Sequence, residues 1–501
     1  MDNKNTYTDI TLPEVTYENY IEDKVEHDLF IPDYYPTAQK ILHCEASVSI
    51  LSKEMVEDKI TLDGVCIWKI LYRSEEDDAL HQVTCEHPFT EYFSTPDVSG
   101  CIRYKIKTKN VSCKLHSSQR GECKAMLCIA VKVISNKKEK IICDTEDEEI
   151  EMLKEEVTLF ESVDTYEKEF PITTEAEIKN RQECDVYKVA SEILIRECKC
   201  TDDKIIIKGI CKNRIILLEK GHCKADNIEC ESTFTQVIDA LGVDEKCIAC
   251  VQCCPLESDI NRSAGNEEMI LIDSNVHAQV SVYRPIQVSM CIDAYHPSAE
   301  LSLERKEVEY YSGIRNMELT AHLTQRLPIN TQNMSILFTE ASGEIIKIGA
   351  TENTLVIEGT ISAGVAYSTV DEVNYSVFPM PLQTVRTMEE AFDRLKCEAE
   401  LTINNFSYII LSDNELEISC DCKISLTVYT LADVNSITSI TVAEAREQTL
   451  PAPLVIYYAA EGERIWDIGK KYSVPIQALI DNNELTEKVL SENKLILISK
   501  K

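Results

Sequence analysis

The stretch ITLDGVCIWKILY, residues 60–72, begins with alternating apolar and polar side chains and ends in an apolar run. Alternation with a period of two is the pattern of a β-strand that buries one face. The same alternation occurs in TLVIEGTISAGVAY, residues 354–367, and in LEISCDCKISLTVY, residues 416–429. Few segments have the periodicity of an amphipathic helix, so the sequence predicts a mainly β protein.

A longer pattern that contains such strands occurs three times, in residues 40–93, 185–238 and 335–385. Each copy has an alternating strand, a polar turn, a second strand that ends in a glycine, a third apolar strand and an acidic or polar turn. The glycines are separated by 145 and 150 residues, and each is followed by an apolar landmark: Gly64 by Phe89, Gly209 by Phe234 and Gly359 by Leu382. This period is far too long for a solenoid, so we expect three tandem domains.

Short strands separated by turns favour a β-sandwich or an open barrel of about 100 residues for each copy. We expect the internal glycines to mark a β-bulge or a close backbone approach. The predicted organisation is an acidic, loosely ordered arm at 1–37, repeats at 38–135, 182–284 and 331–431, spacers at 136–181 and 285–330, a linker at 432–453 and a small domain at 454–499. The spacers hold strand-like pieces, so they are either structured connections or strands that complete a neighbouring domain.

The chain is strongly acidic: 51 Lys and Arg stand against 86 Asp and Glu among 501 residues, a formal net charge of −35. Such a surface repels phosphate backbones and anionic lipid head groups, so we expect neither nucleic acid nor lipid as a partner. No segment approaches the ~20 consecutive apolar residues of a membrane span, and the N-terminus, MDNKNTYTDITLPEVTYENY, lacks the features of a signal peptide. We therefore expect a cytoplasmic protein without direct membrane insertion.

Cysteine is abundant, with 22 residues, of which nineteen lie between Cys44 and Cys291. In a long chain in a reducing compartment a buried cysteine acts as a small hydrophobe, which is the interpretation we favour; oxidative cross-linking in an extracellular assembly is the alternative. The run CIACVQCCP offers four candidate metal ligands, Cys247, Cys250, Cys253 and Cys254. It lacks iron–sulfur spacing, and strand alternation sends Cys247 and Cys250 to opposite faces. We therefore predict no metal and no cofactor.

Motifs of catalysis are missing from the sequence. There is no Gly-x-Ser-x-Gly elbow, no Gly-x-x-x-x-Gly-Lys loop and no His-x-x-x-His pair. We therefore predict that the protein is not an enzyme.

The C-terminal segment, residues 454–498, has a different character. Its sequence, LVIYYAAEGERIWDIGKKYSVPIQALIDNNELTEKVLSENKLILI, predicts the order strand, helix, helix, strand, a small α+β unit. Ile465, Ile468, Gly469 and Tyr472 fall on one helical face. Pro475 suits the first position of the second helix, where its missing N–H costs nothing.

This segment resembles a LysM domain, which has the βααβ order. The resemblance rests on the opening strand, the run Gly462-Glu463-Arg464-Ile465-Trp466-Asp467-Ile468, the helical Tyr472-Ser473-Val474, Asn483 after the second helix, and the closing apolar strand. The usual Gly-Asp-Thr is here Gly-Glu-Arg, and Glu492 replaces the glycine expected before the last strand. The resemblance implies a shallow sugar-binding groove between these two loops, and the larger charged residues put glycan binding in doubt.

The three upstream copies resemble the SPOCS domain, a module associated with sporulation proteins. The resemblance rests on Ile60-Thr61-Leu62-Asp63-Gly64-Val65, Ile70-Leu71-Tyr72 and Pro88-Phe89-Thr90-Glu91-Tyr92-Phe93, with degenerate equivalents in the other copies. Tandem SPOCS domains followed by one LysM domain are typical of the SipL-like spore coat morphogenetic proteins. That resemblance implies an adaptor in the mother-cell cytoplasm at the forespore surface, later part of the spore coat. Its implied partners are the sporulation ATPase SpoIVA, bound through the LysM domain, and other coat proteins.

Five residues of the C-terminal segment are candidates for the partner-binding surface: Trp466, Arg464, Tyr457, Tyr458 and Asn483. Tryptophan dominates many protein interfaces, and Trp466 adjoins the core position Ile465, so we expect it to be half-exposed. Two other functions stay open at this point. One is a peptidoglycan-binding protein of the cell wall or spore cortex, and the other is a redox or metal protein that uses the cysteine-rich second copy.

Overall fold

The computed structural model describes residues 5–96, 99–178, 184–262, 268–328, 334–369, 372–389, 394–412, 414–445 and 454–499. Strands hold 81% of the described residues and helices 3%, so the predicted mainly β fold is confirmed. Within the described residues no helix is long and apolar enough to cross a membrane.

The first unit is built from six strands, which form two antiparallel three-stranded sheets. They are β1 (Asn5–Phe30), β2 (Ala38–Val56), β3 (Lys59–Ser74), β4 (Leu80–Ser94), β5 (Cys101–Leu115) and β6 (Arg120–Thr145). One sheet has the order β1-β6-β5 and the other β2-β3-β4. Apolar side chains from both sheets, among them Trp68 and Leu127, pack in one core. The two sheets therefore pack face to face as a β-sandwich.

Two further units repeat this arrangement. The second contains β7 (Glu151–Glu177), β8 (Cys184–Thr201), β9 (Lys204–Glu219), β10 (Ala225–Asp239), β11 (Ile248–Arg262) and β12 (Met269–Tyr295). The third contains β13 (Ala299–Leu327), β14 (Ser335–Thr351), β15 (Thr354–Ser368), β16 (Val373–Thr387), β17 (Arg394–Ser412) and β18 (Glu415–Ala445). Their sheets have the orders β7-β12-β11 and β8-β9-β10, then β13-β18-β17 and β14-β15-β16, which match those of the first unit.

The segment predicted to be a loosely ordered arm contains β1, so that prediction is wrong for residues 5–30. β1 pairs with β6 from Asn5 to Phe30 and buries Ile10 and Leu29. It is an edge strand, where Pro13 is tolerated because its missing N–H can face away from the sheet. Residues 1–4 lie outside the described part of the chain.

The segments predicted to be spacers are strands of the neighbouring units, which is one of the two possibilities that the sequence left open. Residues 136–181 hold the end of β6 and all of β7, and residues 285–330 hold the end of β12 and all of β13. The predicted linker, 432–453, is likewise not all linker, because β18 continues to Ala445; residues 446–453 lie outside the described residues. The units therefore span 5–145, 151–295 and 299–445.

The glycines that marked the repeats are sites of close approach, as expected. Gly64 lies opposite Phe89, and Gly209 lies opposite Phe234. A Cβ on Gly64 would lie 2.7 Å from Phe89 Cζ, and one on Gly209 would lie 2.6 Å from Phe234 Cζ. Each phenyl ring therefore covers a glycine of the neighbouring strand, which leaves no room for a side chain.

The longest strands extend beyond their sandwiches as two-stranded ribbons, and the three ribbons pack together. In the first unit β5 pairs with β6 only up to Ile134, while β1 follows β6 to Thr145. The second and third units extend in the same way. The ribbons share one apolar cluster, whose members are Ile10, Leu12 and Ile141 from the first unit, Val157, Leu159, Val288 and Met290 from the second, and Val308, Tyr310 and Val434 from the third.

The three sandwiches also meet at a central junction. Leu42, Tyr187 and Leu337 each occupy the same β-bulge of their unit, and all three pack in one cluster. Contact between equivalent positions of three copies means that the units are arranged with approximate threefold symmetry.

The C-terminal unit has the predicted order. It contains β19 (Leu454–Ala459), α1 (Ile465–Tyr472), α2 (Ile476–Asn483) and β20 (Lys494–Ser499), and its two strands pair antiparallel. Both helices pack on one face of this two-stranded sheet, around Ile465, Leu479 and Ile496. We call it the βααβ unit.

Candidate functional site

Trp466 lies at the contact between the βααβ unit and the second β unit. Its ring packs against Tyr295 at a centroid distance of 5.0 Å and an interplanar angle of 64°, and its Nε1 donates a hydrogen bond to Asp293 Oδ2 at 3.2 Å. The residue is only 8% exposed. The expectation of a half-exposed Trp466 is therefore wrong, because the flank of α1 that carries it is covered by the end of β12.

Three further contacts fix the βααβ unit against the second unit. Lys470 Nζ pairs with Asp293 Oδ2 at 2.5 Å, and the Tyr295 hydroxyl donates to the Val474 carbonyl at 2.8 Å. The backbone N–H of Ile476, at the start of α2, donates to Glu151 Oε1 at 3.1 Å. We call the contact formed by Glu151, Asp293, Tyr295, Trp466, Lys470, Val474 and Ile476 the docking contact.

Asp293 is the charged centre of the docking contact. Besides Trp466 and Lys470 it accepts a hydrogen bond from Arg305 Nη2 at 2.7 Å. Burial raises the pKa of Asp293, but the hydrogen bonds from Lys470 and Trp466 and the nearby positive charges outweigh it, so the pKa lies below its usual value. This role could not be predicted from the sequence, because Asp293 and Trp466 are 173 residues apart in the chain.

Three other candidates have their polar groups engaged inside the βααβ unit. Asn483 donates to the carbonyls of Leu479 and Leu497, and its Oδ1 accepts from the Leu497 N–H at 2.6 Å, so it fastens α2 to β20. The Tyr457 hydroxyl donates to Glu463 Oε1 at 2.7 Å. Arg464 forms a bidentate pair with Asp467, at 2.8 Å and 3.0 Å, with its side chain about half exposed.

Tyr458 is the candidate that stands on an open surface. It is 65% exposed and lies directly opposite Leu495 on the face of the β19–β20 sheet that turns away from the helices. The neighbouring pair on that face is Ile456 with Leu497. We call this surface the outer face; its exposed apolar residues are Leu454, Ile456, Tyr458, Leu495 and Leu497.

The outer face has the character of an interaction surface. Contiguous exposed apolar side chains on a folded protein commonly mark a binding site. Sequence reasoning found Tyr458 and missed its four neighbours, although the signal was present. The strands LVIYYA and KLILIS are apolar at successive positions, so they are apolar on both faces, while only one face is needed to cover the helices.

The charge distribution sets the βααβ unit apart from the rest of the chain. Residues 454–501 contain seven Lys or Arg and seven Asp or Glu. The whole formal charge of −35 is therefore carried by residues 1–453. A partner that approaches the outer face meets a locally neutral unit, whereas an acidic partner is repelled by the remainder of the protein.

The two loops that would line a sugar groove lie side by side. The Gly462 N–H donates to the Leu490 carbonyl at 2.8 Å, and the Ile465 N–H donates to the Lys488 carbonyl at 3.0 Å. Arg464 and Glu492 stand on these loops, and both residues are exposed.

The structure separates the four candidate metal ligands. Cys247 and Cys253 pack in the core of the second sandwich, whereas Cys250 packs with Tyr283 and Tyr429 on the other side of β11. Cys254 is exposed. Among the described residues no group of three or more His, Cys, Asp or Glu side chains has an arrangement that could hold a metal ion.

A buried polar cluster, which the sequence did not predict, lies at the junction of the three β units. His43 contacts the Tyr187 hydroxyl at 2.8 Å and Glu340 at 3.1 Å. Lys188 pairs with Glu340 at 2.7 Å and also with Glu45. These residues come from all three units, and His43, Glu45, Lys188 and Glu340 border a cavity of about 330 Å³. Burial alone would lower the pKa of Lys188, but the two carboxylates raise it above its usual value.

Comparison with known proteins bears on the β units. Two segments, residues 37–115 and 184–260, match the family model described as SipL, SPOCS domain. They cover β2 to β5 of the first unit and β8 to β11 of the second. No curated protein and no solved structure matches the chain significantly. Two of the three β units are therefore similar to the SPOCS domain of SipL, a domain of sporulation proteins.

Proposed function

We propose that this protein is a non-catalytic adaptor in spore coat assembly. In this proposal the βααβ unit docks the coat-basement ATPase SpoIVA on the outer forespore membrane, and the three β units recruit or space other coat proteins. The protein would act in the mother-cell cytoplasm and later become part of the coat. The similarity of two β units to the SipL SPOCS domain supports a role in sporulation.

The observation that carries the docking role is the outer face. Five large apolar side chains are exposed together on β19 and β20, in a C-terminal segment, residues 454–501, whose formal charges cancel. Burying such side chains in an interface gains roughly 25 cal/mol per Å² of apolar surface, which gives them the character of binding anchors. Trp466 serves this surface indirectly, because it holds the unit that presents it.

A binding assay with the full-length chain and polymerised SpoIVA tests the proposal. Ile456→Asp and Leu495→Asp place a charge in the middle of the outer face without touching the helix-side core, so each is expected to weaken binding at least tenfold, by about 1.4 kcal/mol or more. Leu241→Asp is the matched control, because Leu241 is an exposed leucine of the second unit. It is expected to bind like the unmodified protein.

The same variants separate the adaptor from a peptidoglycan-binding protein. Purified peptidoglycan is expected to leave the full-length chain in solution. Retention of the chain by peptidoglycan, with SpoIVA binding unaffected by Ile456→Asp and Leu495→Asp, would contradict the adaptor proposal and favour the alternative.

A further inference from the structure

Four cysteines of the first unit form one cluster between its two sheets. Cys113 Sγ and Cys123 Sγ lie 3.0 Å apart. Cys44 and Cys85 pack in the same core cluster as this pair. The four residues come from β2, β4, β5 and β6, so the fold and not the local sequence brings them together.

The central pair has the geometry for a covalent link. Cys113 on β5 lies directly opposite Cys123 on β6 in the antiparallel register. Directly opposed residues of antiparallel strands have Cα atoms about 4.5–5.5 Å apart, inside the roughly 4.4–6.8 Å range of disulfides. Bond formation therefore requires rotation of two side chains and no movement of the strands.

Packing of the sandwich does not require these thiols. At the matching register the second unit has Ile260 opposite Ile272, and the third has Phe406 opposite Cys420. The residues that match Cys123, Ile272 and Cys420, are buried, whereas Ile260, which matches Cys113, is 39% exposed. The opposed pair of thiols belongs to the first unit.

The environment of Cys113 favours its reactive form. Hydrogen bonds from Cys123 and from Cys44 lower the pKa of Cys113 to about 5, although burial acts in the opposite direction. The thiolate is the nucleophile in thiol–disulfide exchange. Cys113 is partly exposed, and Cys44 borders the cavity of about 330 Å³ at the junction of the units, so small reagents have access to the cluster.

We propose that Cys113 and Cys123 are a reversible thiol–disulfide site that reacts with low-molecular-weight disulfides. The Cys113 thiolate attacks one sulfur of the reagent, RSSR, forms a mixed disulfide and releases RS⁻. Cys123 then gives its proton to RS⁻ and attacks Cys113 Sγ, which expels the second RS⁻. The second RS⁻ takes up from water the proton that Cys113 released when it ionised, so the two protein thiols are oxidised by two electrons and one RSSR is reduced to two RSH. Cys44 is a positioning residue that stabilises the attacking thiolate.

The test exposes the full-length reduced protein to oxidised glutathione, blocks the remaining thiols by alkylation and maps the cysteine-containing peptides by mass spectrometry. A Cys113–Cys123 disulfide is expected to appear before any other cysteine pair, and dithiothreitol is expected to reverse it. If both thiols of the folded, unmodified protein stay alkylatable, or if either pairs first with another cysteine, the proposal is overturned.

Variants test the assigned roles. Cys113→Ala and Cys123→Val are expected to abolish the bond, whereas Cys143→Ala, a change elsewhere on β6, leaves it. Cys44→Ala is expected to slow the reaction at least threefold near pH 6 and to have little effect near pH 9, because the loss of a hydrogen bond raises the pKa of Cys113. An equal slowing at both pH values would remove Cys44 from the site.

Discussion

At the scale of single residues, Trp466 shows how a side chain that looks like a binding anchor can serve the protein's own architecture. Its position beside Ile465 was readable from the sequence, as was its place on the edge of the helical core. Its neighbours Asp293 and Tyr295 were not, because they belong to a strand end more than 170 residues earlier in the chain. Local periodicity predicts which face of a helix is apolar, but not which distant segment covers the flank.

Removal of the indole ring is expected to loosen the docking contact without unfolding the β units. Trp466→Ala removes the packing on Tyr295 and the hydrogen bond to Asp293, so the Ile476 amide, which bonds Glu151, should exchange with solvent faster. Hydrogen–deuterium exchange resolved by peptide measures this. Arg464→Ala is the control, because its partner Asp467 lies within α1. Unchanged exchange around Ile476 would show that Trp466 does not hold the contact.

The docking contact is also expected to weaken in acid. The pKa of Asp293 is lowered in the folded protein, and the unfolded value is about 3.9. A lowered carboxyl pKa stabilises the folded state above about pH 4, and this contribution is lost as the pH falls through the folded pKa. Fluorescence of Trp466, in a Trp68→Phe background, should report the change below about pH 4. Asp293→Asn should lack that transition; if it keeps it, another group is responsible.

At the scale of elements, the strands that could best be predicted from the sequence are those with one face buried and the other exposed to solvent. β3, β9 and β15 follow that pattern, and their glycines marked the repeat correctly. β1 was missed because its pattern is obscured by acidic and tyrosine residues, and because it becomes a strand only through its pairing with residues of β6 that lie 90 to 140 positions away in the chain. The outer face was missed for a related reason: apolar residues on both faces of a short strand give no alternation to read.

The crowding at Gly64 is expected to make this glycine irreplaceable within its strand. In Gly64→Ala the new methyl group would lie 2.7 Å from Phe89 Cζ and 2.8 Å from the Ser49 carbonyl oxygen, so the ring and the strand must shift. Overpacking of this kind costs about 1–3 kcal/mol. Gly349→Ala is the control, because its nearest neighbour is the Val356 carbonyl oxygen at 3.9 Å. Urea denaturation should separate the two variants; equal stabilities would contradict the close approach.

At the scale of the whole molecule, the three β units behave as one body, because each contributes ribbon residues to one apolar cluster and sandwich residues to another. Tandem domains were predictable from the repeat. The packing of the three units against one another was not predictable, because the junction residues His43, Lys188 and Glu340 come from three copies and share no local motif.

Loss of the junction charge is expected to destabilise all three units together. Lys188→Ala leaves Glu45 and Glu340 buried without their cation, and breaking a buried ion pair in this way costs roughly 3–5 kcal/mol. Lys220→Ala, which removes a largely exposed pair with Asp185, is expected to cost at most about 1 kcal/mol. Denaturant-induced unfolding, monitored in each unit by hydrogen–deuterium exchange, checks this. Destabilisation confined to the second unit would contradict the view that the three units unfold as one body.

We propose that this molecule works by presenting the outer face of its βααβ unit to another protein. Hydrogen–deuterium exchange of the full-length chain, with and without polymerised SpoIVA, tests this role. The amides of β19 and β20 are expected to be protected, with the docking contact at Trp466 and Ile476 unchanged. Protection confined to the β units, or none at saturating polymer, would contradict it.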